Sequence, residues 1–206
     1  MDIILKYFPN ITEEQKRQFL LLNELYHDWN SKINVISRKD IDNLYEHHVL
    51  HSMAIAKAIN FKDGSTILDL GCGGGFPGIP LAILFPSCHF KLIDGTAKKI
   101  LVCNEVIKAI GLNNVIAEQR RGEEEKGLYD FVVSRAVMPL PDLTKIVQKN
   151  ISKKNINAMP NGILCLKGGE LQAELRPFKN IVEKTELSTW FKEDWFKQKY
   201  LIYLPF

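Results

Sequence analysis

Apolar side chains recur at helical spacing through the first sixty residues. Thr12 precedes two acidic residues, and hydrophobic or aromatic residues then follow every three or four positions as far as Ile33. This pattern predicts an amphipathic helix over residues 12–32 and a second helix from Asp40 to Ile59. We therefore expect residues 1–62 to form an N-terminal helical extension packed on the domain that follows.

From residue 63 to residue 206 short apolar runs alternate with helical patterns. The predicted strands are Ser65–Leu70, Phe90–Ile93, Asn114–Glu118, Asp130–Ser134, Gly162–Lys167, a segment within Val182–Trp190, and Lys199–Leu204. Helices are predicted around Lys98–Ile110, stopped by Gly111, and around Asp142–Ile151. The alternation predicts an α/β domain whose mainly parallel sheet carries helices on both faces. A ligand is then expected at the carboxyl ends of the first strands.

Composition is that of an ordinary globular protein, with 206 residues, 46% hydrophobic and 25% charged. A net charge of +3 excludes an acidic disordered chain and a histone-like protein, but neither requires nor excludes a nucleic-acid partner. Residues 143–206 hold 11 basic and 6 acidic side chains, so the positive charge is concentrated there. Four aromatic residues of this last third could stack on bases, although burial at a sheet edge explains most of them: Trp190, Phe191, Trp195 and Phe196.

The cysteines and histidines do not predict a metal site. Four cysteines lack any C-x-x-C spacing, which is typical neither of zinc sites nor of disulfide frameworks. His47 and His51 lie one helical turn apart, but a zincin would need glutamate at His48, and no third ligand is evident. We interpret them as packed or hydrogen-bonded histidines. No signal peptide and no membrane span are expected, so the predicted location is cytoplasmic.

A glycine-rich loop, Asp69-Leu-Gly-Cys-Gly-Gly-Gly-Phe-Pro-Gly78, directly follows the first predicted strand. Its glycines permit positive φ and a close approach of a ligand to the backbone, notably at Gly73. The spacing is not that of a dinucleotide fingerprint, because Phe76 occupies the last position. Asp69 would oppose a pyrophosphate but suits the cationic S-adenosylmethionine. A tight turn without a ligand remains the alternative.

Three further strand ends carry candidate binding residues. Asp94, after the second strand, could accept two hydrogen bonds from a ribose diol, or could cap the following helix. The run from Arg120 to Glu125 follows the third strand, either as a solvated loop or beside an adenine edge. Arg135 ends the fourth strand, where it could pair with a cofactor carboxylate or a substrate phosphate, or pack in an interface.

Signatures of other base methylases are missing. The place where exocyclic-amine methylases carry Asn/Asp-Pro-Pro-aromatic reads Ser134-Arg-Ala-Val137, and no cysteine nucleophile for pyrimidine carbon 5 lies near it. Cys72 and Cys165 are interpreted as small apolar fillers.

Four segments together resemble the glucose-inhibited division protein B family, the bacterial 16S ribosomal RNA guanine-N7 methyltransferases. They are the glycine loop with its extension to Ala82, Ile93-Asp94 with Lys98-Lys99, Ser134–Val137, and Leu166-Lys-Gly-Gly169. The resemblance implies a Rossmann-like class I S-adenosylmethionine-dependent methyltransferase. Its seven-stranded sheet would be mainly parallel with one antiparallel strand, and the partner would be 16S rRNA or the small ribosomal subunit.

The resemblance also implies which residues bind. Family positions of the cofactor site fall on Gly71, Phe76, Gly122, Glu123 and Arg135, and the physical argument adds Gly73 and Asp94. Arg135 is the candidate for orienting cofactor or substrate, while Arg121 or Lys167 would meet an RNA phosphate. Guanine N7 carries a lone pair and no proton, so no indispensable acid or base is expected.

The N-terminal segment departs from the family pattern at Asn34-Val-Ile36, at His47-His48 and at His51. These differences leave its role in substrate contact open. Two other functions also remain open at this stage, an NAD-dependent oxidoreductase on the same sheet and a non-catalytic ribosome-binding factor.

Overall fold

Seven strands form the central sheet of the computed structural model, which describes residues 1–206. Their order is β3-β2-β1-β4-β5-β7-β6. Strand β7 runs antiparallel to the other six strands, which all point in one direction. The strands are β1 Thr66–Leu70, β2 His89–Asp94, β3 Val115–Gln119, β4 Phe131–Arg135, β5 Gly162–Gly168, β6 Glu183–Glu186 and β7 Lys199–Pro205. The prediction of a mainly parallel sheet with one antiparallel strand is confirmed.

Helices cover both faces of this sheet. The α-helices are α1 Asp2–Tyr7, α2 Glu13–Lys32, α3 His51–Met53, α4 Ile55–Ala58, α5 Gly78–Leu84, α6 Ala97–Ile110, α7 Leu140–Val147 and α8 Gln172–Leu175. Helices α5 and α6 share one hydrophobic core with the N-terminal helices, and α7 packs in a second core on the other face. Gly111 ends α6 in the left-handed conformation, as expected of a C-terminal stop.

Helix α2 begins where the sequence predicts. The Thr12 hydroxyl accepts a hydrogen bond from the Gln15 amide, and the Gln15 side chain accepts one from the Thr12 amide. This reciprocal capping satisfies two amides that the first helical turn leaves free. The buried side of α2, with Phe19, Leu22 and Tyr26, lies in the core shared with α5 and α6. Residues 1–62 thus add a helical layer to the sheet, and their status as a separate unit stays a prediction.

The predicted continuous helix from Asp40 to Ile59 is wrong. A 3₁₀ turn, Ile41–Asn43, is followed by a π-helical segment, Leu44–Leu50, and only then by the short helices α3 and α4. Asp40 is bonded by both His47 and His48, which are neighbours in the sequence. The helix is widened over these same residues, and such widening is common at functional sites.

The last third of the chain also differs from the prediction. The strand predicted within Val182–Trp190 is limited to β6, because Leu187 turns into the core and opens a 3₁₀ turn. Phe191 and Phe196 are fully buried, but against Tyr7 and His51 of the N-terminal helices rather than at a sheet edge. No helix is long and apolar enough to span a bilayer.

Candidate functional site

A cleft of ≈ 250 Å³ opens at the carboxyl ends of strands β1 to β4. Its walls combine apolar side chains with a few charged groups at the rim. The lining residues are Leu70, Gly71, Ile93, Asp94, Gly95, Arg120, Arg121, Gly122, Glu123, Val137, Met138 and Ile146. The sequence predicts a ligand at this edge, and four of its candidate cofactor residues meet here: Gly71, Asp94, Gly122 and Glu123.

Two glycines allow the apolar walls of the cleft to close. Gly71 has a φ of +69°, and a Cβ built on it would lie 2.7 Å from a methyl carbon of Val137. A Cβ on Gly122 would lie 2.6 Å from a methyl carbon of Leu70. Both distances are well inside van der Waals contact, so side chains at these positions would push the walls apart.

Asp94 stands at the rim and holds the backbone on both sides of the cleft entrance. One carboxylate oxygen accepts a hydrogen bond from the Gly73 amide at 3.1 Å, and the other accepts one from the Thr96 amide at 2.8 Å. The two alternatives for Asp94 are therefore compatible, since it caps the turn before α6 and still has free acceptor capacity. Gly73 is oriented by this carboxylate, and the space above its Cα is open.

Asp69 does not face the cleft, which corrects the expectation that it meets a cationic ligand. The residue is completely buried, and one carboxylate oxygen accepts the Gly78 amide at 2.7 Å. The pKa of Asp69 is raised to about 7, because the effect of burial exceeds the opposing effects of the Gly78 amide and the Arg135 charge. Asp69 instead fixes the backbone where the glycine loop enters α5.

The N-terminal helices hold the glycine loop from behind. The Tyr26 hydroxyl donates a 2.6 Å hydrogen bond to the Gly74 carbonyl, and Tyr26 is completely buried. Val35 lies so close to Gly74 that an added Cβ would be 2.9 Å from it. Sequence reasoning missed Tyr26. Its position four residues after Leu22 places it on the buried side of α2, and this spacing could have indicated a contact with the sheet domain.

Arg135 and Phe76 form a second cluster on the other side of the loop. The Arg135 guanidinium lies 5.1 Å from the Phe76 ring centroid and donates to the His47 carbonyl at 3.2 Å. Its other terminal nitrogen lies 3.1 Å from Nδ1 of His48. Burial lowers the pKa of Arg135 to about 10, so it remains a cation at neutral pH. Neither Arg135 nor Phe76 is among the residues that line the cleft, although Val137, two positions after Arg135, is.

Asp40 completes this cluster, and sequence reasoning missed it as well. Nε2 of His48 donates to an Asp40 carboxylate oxygen at 2.8 Å. Nδ1 of the same ring is then free to accept the Arg135 hydrogen bond, which fixes the neutral tautomer of His48. Burial, and after it the charge of Arg135, lowers the pKa of His48 to about 4. Asp40, His48 and Arg135 therefore form a chain of hydrogen-bonded side chains that extends from the N-terminal segment to the end of β4.

Replacement of His48 by glutamine is expected to flatten the acid dependence of stability. The unfolded chain protonates His48 near pH 6.5, whereas the folded pKa is about 4, so stability falls as the pH drops between these values. Between pH 6.5 and roughly pH 5 the wild type should lose about 2 kcal/mol of unfolding free energy that His48→Gln does not lose. Urea unfolding at several pH values measures the difference. Parallel curves for the two proteins would contradict the assignment.

The two candidate RNA contacts differ in availability. Arg121 is exposed and lines the cleft rim. Lys167 is 9% exposed, forms an ion pair with Glu174 at 2.7 Å and donates to the Met138 carbonyl at 2.8 Å. The geometry therefore leaves Arg121 free for a phosphate and commits Lys167 to a structural pair.

The histidines of the N-terminal segment are packed, as interpreted from the sequence. The His47 ring stacks on Trp195 with centroids 4.2 Å apart, and the His51 ring meets Trp195 edge-on at 5.0 Å. Burial, together with the charge of Arg135, lowers the pKa of His51 well below its usual value. These rings connect the N-terminal helices to the C-terminal aromatic segment.

Comparison with known proteins gives concordant matches over nearly the whole chain. The family model described as "GidB: rRNA small subunit methyltransferase G" matches residues 15–194. The chain is 63% identical over 203 residues to ribosomal RNA small subunit methyltransferase G of Bacteroides thetaiotaomicron, covering 98% of each sequence. It is 54% identical over 205 residues to the protein of the same name from Flavobacterium johnsoniae, covering 100% of this chain and 98% of the relative.

Solved structures share the fold at low sequence identity. A precorrin-6y C5,15-methyltransferase from Geobacter metallireducens aligns with a TM-score of 0.56 at 12% identity, covering 83% of this chain and 89% of its own. A protein described as a putative rRNA methylase from Clostridium thermocellum aligns with a TM-score of 0.54 at 15% identity, covering 77% and 95%. These likenesses show that the sheet and its helices follow the class I methyltransferase fold.

Proposed function

The chain belongs to the rRNA small subunit methyltransferase G family, and from this premise we propose that it methylates N7 of a guanine in 16S ribosomal RNA with S-adenosylmethionine as donor. The observation that carries the proposal is the cleft at the ends of β1 to β4, built on Gly71, Asp94 and Gly122. We also propose that the reaction takes place in the cytoplasm, on the RNA or on the small ribosomal subunit.

The cleft fits an adenosyl ligand. Its walls are apolar side chains that suit a flat base, including Leu70, Ile93 and Ile146. The Asp94 carboxylate at its rim retains acceptor capacity for a ribose diol, a group that S-adenosylmethionine and NAD share. The family match is what favours S-adenosylmethionine over NAD and argues against an oxidoreductase.

The positions of the residues support the following proposed roles. S-adenosylmethionine supplies an electrophilic methyl group when bound. Gly71 and Gly122 let the apolar walls pack closely around the base, and Asp94 would hold the ribose. Arg135 has five N–H groups, of which two have protein partners, so the others can orient a carboxylate or a phosphate. The Phe76 ring packs against the Arg135 guanidinium in a cation–π contact.

Guanine N7 explains why the cleft holds no evident base. Its in-plane lone pair attacks the methyl carbon directly, and no proton has to leave. The two carboxylates that flank the glycine loop hold backbone instead: Asp69 accepts the Gly78 amide, and Asp94 accepts two amides. Rate enhancement would then come from alignment, to which Arg135 and the rigid loop contribute.

Methylation mapping tests this function. The purified protein should transfer labelled methyl groups from S-adenosylmethionine to small-subunit RNA taken from cells that lack the gene. Strand cleavage specific for N7-methylguanine should then reveal one position, which is already modified in RNA from cells with the gene. Methyl groups at a different base atom would refute the N7 assignment, and cofactor binding without any transfer would favour the non-catalytic ribosome-binding factor.

A further inference from the structure

A second groove, of ≈ 640 Å³, lies beside the cofactor cleft between α8 and the strands β6 and β7. Apolar side chains and Tyr200 form its floor. Its sides carry three basic residues, Arg176, Lys179 and Lys184. We call this feature the basic groove.

The three basic side chains are unpaired. All are exposed, and none forms an ion pair or a side-chain hydrogen bond within the chain. Lys184 lies over the Tyr200 ring, 3.8 Å from its centroid, which places a cation and an aromatic face together. Glu170 is the single carboxylate among the lining residues, so the groove keeps a net positive charge. Part of the positive charge of residues 143–206 is thus gathered in one concave surface.

The basic groove shares no lining residue with the cofactor cleft but is linked to it through the end of β5. Lys167, at the end of β5, pairs with Glu174 of α8 and donates to the Met138 carbonyl in the cleft wall. Glu174 also accepts the Leu140 amide at the start of α7. Lys167 stands opposite Tyr200 in the β5–β7 register. One partly buried ion pair, Lys167–Glu174, therefore connects a residue of the cleft wall to the helix beside the groove.

We propose that the basic groove binds the phosphate backbone of the substrate RNA next to the methylated nucleotide. The inference rests on the proposed function and adds to it the path of the substrate. Arg176, Lys179 and Lys184 neutralise phosphates, and the Tyr200 ring under Lys184 holds that cation in the groove. Arg121, exposed in the lining of the cleft, would add a fourth cation to the same RNA path. An extended strand crossing the cleft matches this arrangement.

A triple variant with a charge-matched control tests the groove. Arg176→Gln, Lys179→Gln and Lys184→Gln together remove three exposed charges from it. The control changes Lys62, Lys153 and Lys154 to glutamine; these are exposed residues that precede β1 and β5, at the opposite edge of the sheet. Binding of naked small-subunit rRNA is measured against salt concentration for both variants. In the groove variant the slope of log affinity against log salt should shrink by about 2 to 3, and affinity at low salt should fall about tenfold.

The remaining outcomes are also decisive. An unchanged slope in the groove variant, or an equal change in the control, would overturn the proposal. A loss of binding seen only with assembled subunits, and not with naked RNA, would assign the groove to a ribosomal protein and would equally overturn it. Calorimetry with S-adenosylmethionine should give the same affinity for all three proteins. Failure of methyl transfer by the wild type, with the salt effect intact, would refute the proposed function and leave the groove assignment standing.

Discussion

Gly71→Ala is expected to weaken the binding of S-adenosylmethionine at least tenfold. The added Cβ would stand 2.7 Å from a methyl carbon of Val137, in the wall of the cleft. Val137 is β-branched and rotates poorly, so the wall must shift to relieve the contact. The positive φ of residue 71 adds about 1 kcal/mol of backbone strain. Calorimetric titration with the cofactor measures the loss.

Two variants separate the contact from the strain. Gly64→Ala introduces the same side chain at a φ of +83°, with open space around it and at the other end of β1. It should lower the unfolding free energy by the strain alone, about 1 kcal/mol, while binding the cofactor normally. Gly71→Ala combined with Val137→Ala removes the two methyl groups that are too close, and should recover most of the affinity. Equal losses of cofactor affinity in Gly64→Ala and Gly71→Ala would refute the steric explanation.

Arg135→Ala should reduce methyl transfer about 100-fold. Removal of one partner from a buried, hydrogen-bonded charge pair costs about 2–5 kcal/mol, and the Arg135 guanidinium has N–H groups available for such a pair with the cofactor or the RNA. Steady-state kinetics on ribosomal RNA at varied cofactor concentration measure the effect. An increase confined to the KM of the cofactor would show that Arg135 binds its carboxylate, whereas a fall in kcat would show alignment of the reacting groups.

Arg135→Lys is the matched variant for this prediction. It keeps the positive charge, but a lysine cannot contact the His47 carbonyl and the His48 ring while also binding an anion in two-point fashion. Activity should therefore recover only in part. Urea unfolding must show that both variants remain folded at the assay temperature. Full turnover by folded Arg135→Ala would exclude an orienting role for this residue.

The N-terminal segment contacts both parts of the proposed site. Tyr26 supports the glycine loop, and Asp40 and His48 orient Arg135. These contacts give residues 1–62 a physical role in shaping the site, in addition to any contact with RNA. The sequence differences from the family pattern at His47 and His51 lie beside this cluster, where both rings pack on Trp195.

Sequence patterns predicted most of the sheet but less of its surroundings. The strands β1, β4 and β5 are short runs buried almost throughout, so they leave a nearly continuous hydrophobic signal, whereas β3 at the edge of the sheet alternates buried and exposed side chains. The prediction of one helix from Asp40 to Ile59 was wrong. It rested on the spacing of apolar residues, which does not reveal that His47 and His48 both bond the Asp40 carboxylate. The strand predicted within Val182–Trp190 was too long because Leu187 finds its burial partner in the tertiary core.

The sequence by itself determined the glycine loop after β1, the carboxylate of Asp94 after β2 and the arrival of both at one edge of a parallel sheet. Local periodicity and chain order are sufficient for these features, since the carboxyl ends of parallel strands lie together. Only the tertiary structure decided which charged groups are available. Asp69 is buried on the Gly78 amide, Lys167 is paired with Glu174, and Arg135 meets His48 across 87 positions of the chain. Such long-range contacts arise from packing, which no local pattern encodes.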